Sequence, residues 1–436
     1  MSRTPLHPMS LHEFKSSLHG TLIDPGDERY ESTRRVWNGL IDKHPAFIVL
    51  CAGVSDIVSS IQFARDQGLT VAVRGGGHGL AGYAVCDDGI VIDLSQMKGI
   101  YIDSQQSIAY VEPGCKNADL LRAAQPYGLA TTTGIVGDVG IAGLTLGGGE
   151  GWLSGKYGLA SDNLLAVEMV LADGSVVHAS NEEYPDLFWA VRGGSGNFGI
   201  ITAFTFQLHQ VGQVLRGSII HPISQAQEVL RFYREFSSTV PDELTVYADL
   251  VTGKGGQPII MLNTCYCGDD LAEGERLLIP LRTFGSPLVD SIHPMSLLEA
   301  TTLLDDFFPS GRCIYPQTET VLSLNDELID IAVAYTMARP SEMSSTGIRH
   351  THGTTTRIEP SATAFPIRSE HYVIQIMAQW TQGERQPHVD WANHFQAEIA
   401  PFTQELVPVN WLGEVSKARI QAGYGANYER MAQIKR

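Results

Sequence analysis

Cysteine is scarce in this chain, with six in 436 residues, at positions 51, 86, 115, 265, 267 and 313. A disulfide framework needs a denser supply in a much shorter chain, so cross-links are not expected to hold the fold. Cys265 and Cys267 in "NTCYCG" stand two apart, which on a strand puts both thiols on one face. Two thiols alone do not make a metal site, and buried strand residues are the simpler reading. Positive charge is also short: 30 Lys and Arg face 48 Asp and Glu, for a net charge of −18. That balance excludes a broad basic face for nucleic acid and electrostatic docking on anionic lipid, although a small basic pocket would not show in the total. Long apolar runs are missing too. The opening "MSRTPLHPMSLHEFKSSL" has no stretch of signal-peptide length, and no later stretch reaches the length of a bilayer span. Repeats and low-complexity linkers are absent. The expectation is a cytoplasmic protein with reduced thiols and neither nucleic acid nor membrane as partner.

Glycine, by contrast, is abundant and unevenly placed. It concentrates in "RGGGHGLAG" (74–82), "GIVGDVGIAGLTLGGGEGW" (134–152) and "RGGSGNFGIIT" (192–202). Glycine lets backbone N–H groups approach a ligand closely and form anion-binding hollows. One such loop reads as a tight turn; three in one region suggest a large ligand with phosphates, gripped mainly by backbone. The segment "GSGNFG", residues 194–199, formally fits G-x-G-x-x-G. A dinucleotide fingerprint follows a strand and opens a helix, whereas here helical "YPDLFWAVR" precedes and strand-like "IITAFTFQL" follows. The Rossmann reading fails.

The length favours two domains. "VSDIVSSIQFARDQGL" carries Val54, Ile57, Val58, Ile61 and Ala64 at helical spacing, with Gly68 near its end. "AVEMVLADGSVVHAS" reads as a hairpin turned at Asp173-Gly174. After about residue 210 the glycine density falls. "VYADLV", "PIIMLNTCYC" and "HYVIQIMAQW" read as strands, with helical "AQEVLRFYREF", "LAEGERLLIPLRTF" and "NDELIDIAVAYTMA" between them. Such alternation predicts α+β sheets with helical cover rather than one doubly wound parallel sheet.

Five segments together carry a resemblance: "VWNGLIDKHPAFIV", "VRGGGHGLAGYAVCDDGIVIDLSQM", "GLTLGGGEGWLSGKYGLASDNLL", "DLFWAVRGGSGNFGIIT" and "YGANYERMAQIKR". The chain resembles the FAD-linked oxidoreductases of the vanillyl-alcohol oxidase/para-cresol methylhydroxylase superfamily, in the berberine bridge enzyme-like branch with its bacterial members. The resemblance implies a two-domain para-cresol methylhydroxylase-type FAD-binding fold. An FAD domain over residues 1–210, completed by 396–436, would face an antiparallel-sheet substrate domain over 211–395. It implies that His78, the histidine after the first glycine run, carries the flavin covalently through its 8α-methyl group. Relatives with a second tether place a cysteine where this chain has Val136, so attachment through His78 only is expected, with Cys86 and Cys115 structural. Arg74, Gly75, Gly76, Gly77 and Gly79 would wrap the diphosphate and flavin edge. Gly134, Gly140, Gly143 and Gly148 would follow the adenosine and ribityl portions. Asp162, Asn163, Gly196, Asn197, Gly199 and Ile201 would complete the contacts, though Asp162 reads equally well as a capping residue. Ile141 stands where bulk affects access of oxygen to the flavin.

The implied activity is hydride transfer from an alcohol or amine carbon of a small organic molecule to FAD, with O₂ as electron acceptor. A secondary metabolite or alkaloid-like compound is the implied substrate. The pattern breaks where relatives carry their proton acceptor. "PVNWLGE" has Pro408 in place of the usual tyrosine while Asn410 is kept, and "AFPIRSEH" has Ile367 in place of a histidine while Arg368 is kept. The expected catalytic set is therefore Asn410, Tyr372 and Arg368, with His350, His352, His371 and Glu414 as further candidates for the base. "RHTHG" lacks a third ligand, so no metal is expected. The relatives' Tyr-Asp-Pro ending does not appear before Arg436. Two alternatives remain open: a cyclase or isomerase that uses the flavin without net redox, and a non-catalytic binding protein.

Overall fold

The structure is a computed structural model that describes residues 9–413 and 416–436. Its first sheet runs Thr21–Ile23, Phe47–Leu50, Ile90–Asp93, Val71–Arg74, and the last three strands are parallel. The helix Val54–Gln67 provides the crossover that parallel strands need. It ends at Gly68, whose φ of 65° is the left-handed cap that glycine adopts most easily. Asp56 near its start is fully buried and accepts the backbone N–H groups of His19, Gly20 and Ala52 at 2.8, 3.0 and 2.7 Å.

A second, antiparallel sheet runs Ile100–Asp103, Ile108–Val111, Ile200–Gln207, Leu164–Val170, Val176–Ser180. The expected hairpin is present: Val170 pairs Val176, and Gly174 at φ 87° makes the turn. The helix Pro185–Val191 precedes the third glycine stretch and the strand Ile200–Gln207 follows it, the helix-then-strand order read in the sequence.

Beyond Ile200–Gln207 the chain enters, at Val214, a nine-stranded antiparallel sheet. Its main path is Val289–Asp290, Val214–Pro222, Pro258–Tyr266, Leu244–Thr252, Ser345–Thr351, His371–Trp380, Cys313–Val321, Thr403–Gln404. The helices Ala226–Ser237, Leu271–Thr283, Asp326–Met337 and Gln386–Ile399 lie at the three segments expected from the pattern and at one more. They close one face of the sheet over a core that includes Tyr233, Leu250, Leu328, Ile374 and Phe395. The opposite face meets the glycine-rich half, where Trp152 and Leu153 pack with Tyr247, Cys265 and Cys267. Alternation along each strand makes this division, since successive side chains point to opposite faces. The chain then returns: helices Lys417–Tyr424 and Tyr428–Lys435 place Tyr424 and Met431 in the core of the five-stranded sheet.

The first two glycine stretches touch backbone to backbone. A Cβ on Gly76 would come within 2.5 Å of the Gly140 Cα, while a Cβ on Gly79 would meet nothing within 4 Å. Gly76→Ala is expected to force the loops apart at a cost of about 1–3 kcal/mol, as overpacking does, and Gly79→Ala to leave stability nearly unchanged. Thermal melts of the two variants side by side check this.

Candidate active site

The three glycine stretches, far apart in sequence, meet in space. Beyond the Gly76–Gly140 contact, the Gly193 N–H donates to the Leu146 carbonyl at 3.0 Å, which joins the third stretch to the second. A Cβ on Gly79, Gly143 or Gly196 would face open space, one position from each stretch. Buried polar atoms near these loops lack partners among the described residues: Asn117 Oδ1, Thr131 Oγ1, Thr145 Oγ1 and Ser161 Oγ. Buried polar groups are normally satisfied, so four such atoms in one stretch of chain indicate a place for a polar ligand.

His78 stands at the end of the first loop. Its ring stacks on Trp37 at 5.1 Å between centroids and 20° between planes. Trp37 is held by its indole N–H, which donates to the Phe308 carbonyl at 3.0 Å. His78 Nε2 lies 3.3 Å from Asp138, whose carboxylate also pairs with Lys116. Burial holds the His78 pKa below the ordinary imidazole value, against the opposing pull of Asp138, so the ring is neutral at neutral pH.

A second hollow opens where the two halves of the molecule meet, lined by Glu150, Leu159, Phe365, His371, Asn410 and Trp411 among others. Asn410, on the returning segment, is fastened to the second glycine stretch. Its Nδ2 donates to the carbonyls of Gly143 and Leu144, both at 3.2 Å, and its Oδ1 accepts the Gly149 N–H at 3.4 Å. Glu150 accepts the Thr351 hydroxyl at 2.8 Å, and burial pushes its carboxyl pKa up. His371 Nδ1 faces the Ser369 carbonyl at 2.7 Å, while its buried Nε2 has no partner among the described residues.

Comparison with known proteins bears on what such a site takes. Residues 45–180 match the FAD binding domain family. An FAD-linked oxidoreductase of Dictyostelium discoideum is 28% identical, with 98% of this chain and 93% of that protein aligned. The solved structure of 6-hydroxy-D-nicotine oxidase from Arthrobacter nicotinovorans superposes with a TM-score of 0.88 at 28% identity, covering 96% of this chain and 95% of that one. A berberine bridge enzyme-like protein of Physcomitrella patens shares the fold, with a TM-score of 0.88 at 22% identity over 98% of this chain and 96% of its own. The protein is an FAD-dependent oxidoreductase, similar over nearly its whole length to these FAD-linked enzymes.

The residues present fit that cofactor. The glycine backbones that meet here and the unpartnered buried atoms around Thr131–Ser161 supply the kind of polar groups that an FAD would engage. As an FAD-linked oxidoreductase of the two-domain para-cresol methylhydroxylase type, the protein nevertheless uses several of the expected residues differently. Arg74, 6% exposed, gives its guanidinium to Asp93 at 2.6 Å and to the Arg35 carbonyl, so it clamps two parallel strands and has little left for a phosphate. Asp162 caps the turn at the Leu159 N–H, the alternative read in the sequence, and Asn163 bridges the Tyr157 and Leu159 carbonyls to His209. The Asn197 side chain turns back to the Gly194 carbonyl. Ile201 is in the core, and Gly199 is where the strand passes against Met169. Gly134 and Gly148 are close-packed against Asn117 and Phe365, and Gly75 lies near the Pro113 carbonyl. Gly77 makes its turn at φ 70°.

Two members of the expected catalytic set need correction. Tyr372 sits on the helix-covered face of the nine-stranded sheet, with its hydroxyl 2.9 Å from Ser237 Oγ, away from Asn410. His350 pairs with it in register and stacks on it at 4.7 Å. Arg368, 4% exposed, grips both oxygens of Asp162 at 2.7 and 2.8 Å and the Thr363 hydroxyl, so it is a buried clamp between the halves. His352 lies against Gly155, and burial takes both His350 and His352 down to about 4. Glu414 lies outside the described residues. Asn410 and His371 are the candidates that reach the hollow, together with Pro408. All six cysteines are free; Val136, at the second-tether position, packs beside Trp152.

Sequence reading missed Glu150, Asp138 and Trp37. A signal for Glu150 was present: it is the one charged residue in the otherwise apolar and glycine run "GIAGLTLGGGEGWLSG". Removing one partner of a buried ion pair strands the other charge. Arg368→Met is therefore expected to cost about 3–5 kcal/mol. The double variant with Asp162→Leu should recover much of that loss, as urea denaturation of both would show.

Proposed function

We propose that this protein oxidises an alcohol or amine carbon of a small organic molecule, with FAD attached covalently through His78 only and O₂ as the electron acceptor. The observation that carries the reading is His78 itself: a neutral imidazole, stacked on Trp37 and facing Asp138, at the mouth of a cradle of touching glycine loops. FAD, when bound, supplies the acceptor for the hydride. A neutral ring keeps the lone pair that attachment needs, and Asp138 is placed to take the ring proton that attachment releases at Nε2. Val136 has no sulfur, which supports a single tether.

The backbones of Gly75, Gly76, Gly77, Gly79, Gly140, Gly143 and Gly196 would hold the cofactor. The unpartnered oxygens of Asn117, Thr131, Thr145 and Ser161 would add side-chain hydrogen bonds. In this reading residues 1–210, completed by 396–436, form the cofactor half and 211–395 the substrate half. Asn410 orients the substrate from the seam, and the aromatic and aliphatic walls Phe365, Leu159 and Trp411 exclude water from it. The similar solved structure is that of 6-hydroxy-D-nicotine oxidase, which supports a modest organic substrate here. Six free thiols support a reducing, cytoplasmic setting, and among the described residues no helix is long and apolar enough to cross a membrane.

Acid precipitation of the purified protein tests the tether directly. The washed wild-type pellet should keep its flavin fluorescence and a protein mass raised by one FAD, and His78→Ala should release the flavin to the supernatant. Flavin lost from both would sink the covalent reading. Colourless protein in both would return the binding-protein alternative to the front. Substrate-dependent bleaching with peroxide release would count against a cyclase or isomerase without net redox.

A further inference from the structure

The hollow at the seam of the two halves has lost the acid–base group its sequence context leads one to expect. Proline at 408 has no proton to exchange, and Tyr372 and Arg368 are turned away or tied up. Yet the hollow is not without a carboxylate. Glu150 follows Gly149, whose N–H donates to Asn410 Oδ1, so the returning segment fixes the backbone from which this side chain extends. Its Oε1 accepts one hydrogen bond, from Thr351, and among the described residues it is the one carboxylate lining the hollow at this seam.

The groups that face Glu150 from neighbouring elements pull its proton affinity in opposite directions. From the strand Ser345–Thr351 come the Thr351 hydroxyl and the more distant Arg349 guanidinium, itself paired with Asp249 at 2.8 Å. From Leu244–Thr252 comes the phenol of Tyr247, from the turn after Thr351 comes His352, and from His371–Trp380 comes His371. His350 lines the inner hollow and is bonded to Glu370 at 2.9 Å. Burial favours the neutral acid, while Thr351 and Arg349 favour the carboxylate; burial wins, and the pKa lies above the ordinary glutamate value. A carboxylate moved toward neutrality is a better base at the working pH than an exposed one. His371 is the rival, but burial moves its ring the other way, toward a weaker base.

We propose that Glu150 is the proton acceptor of the active site, taking the O–H or N–H proton of the substrate as the C–H hydride departs. The proposal rests on the FAD-dependent oxidation set out above. For an alcohol, the C–H bond breaks and both its electrons go with the hydride to the FAD. The O–H bond breaks and its proton goes to Glu150, and the freed pair forms the carbonyl π bond. Carbon is oxidised by two electrons, the cofactor is reduced by two, and Glu150 ends as the neutral acid, which returns its proton to solvent.

The test needs no knowledge of the substrate. The midpoint potential of the flavin in the holoprotein is measured against pH by anaerobic photoreduction with a reference dye. Adding two electrons to the flavin raises the proton affinity of a carboxylate beside it. Wild type should therefore show an extra proton taken up per two electrons across the interval where Glu150 titrates. Glu150→Gln should lose that interval, and His371→Gln should keep it. Thr351→Val removes a hydrogen bond from the charged form, so it should move the interval to higher pH. Glu150→Asp keeps a titrating carboxylate and should retain an interval, shifted in pH, which serves if the glutamine variant does not fold. For any alcohol that bleaches the flavin, Glu150→Gln should slow bleaching about a hundredfold or more. An interval that survives in Glu150→Gln, or that vanishes in His371→Gln, overturns the assignment. So does a wild-type flavin with no such interval. A colourless protein overturns the FAD reading itself, and this proposal with it.

Discussion

The contact between Gly76 and Gly140 is one on which the rest of the site depends, because no side chain could occupy either position without separating the loops. It holds the end of a parallel strand against the start of the helix Ile141–Leu146, and His78 follows two residues later. The Gly193 N–H then fastens the third glycine stretch to Leu146. Backbone meets backbone at both junctions, so the region gains close approach at the expense of side-chain packing. Its rigidity comes from the elements that flank it: the crossover helix Val54–Gln67, the five-stranded sheet and the returning helices.

Buried ion pairs supply a second kind of constraint. Arg74–Asp93 ties two parallel strands, Arg368–Asp162 ties the glycine-rich half to the loop before His371–Trp380, and Arg349–Asp249 joins neighbours within the nine-stranded sheet. Such pairs contribute little net stability over a well-packed apolar core, but each leaves a stranded charge if half of it is lost, so they are strong determinants of register. Two arginines that look like ligand-binding residues in sequence are used for this purpose. Cofactor recognition is left to backbone and to short hydroxyl and amide side chains, consistent with the unpartnered oxygens around Thr131–Ser161.

The seam between the halves brings opposite environments together. His78, His350, His352 and His371 are all held toward neutrality, whereas Glu150 is held toward its acid form. Desolvation is the common cause, and it acts with opposite sign on imidazole and carboxyl pKa values. Weak solvation thus brings the carboxyl and the imidazoles closer in proton affinity than they are in water, which suits a reaction that moves a proton as a hydride departs.

Much of the fold was legible in the sequence. Helical periodicity ending at a glycine located Val54–Gln67, and Asp173-Gly174 located the hairpin, because those patterns are set by local geometry. The reversed order around "GSGNFG" excluded a Rossmann unit for the same reason. The family was legible from five motifs, and with it His78 and the glycine loops, since backbone cradles leave a compositional trace. What the side chains do was decided by tertiary structure. Tyr372 and His371 are adjacent in sequence yet face opposite sides of the sheet, and only the direction of the strand settles which one enters the hollow. Arg368 and Asp162 are 206 residues apart, and nothing local indicates that they pair. Glu150 stands out locally only as a lone charge in a glycine run, and its place in the hollow depends on the distant strand that brings Thr351 to it.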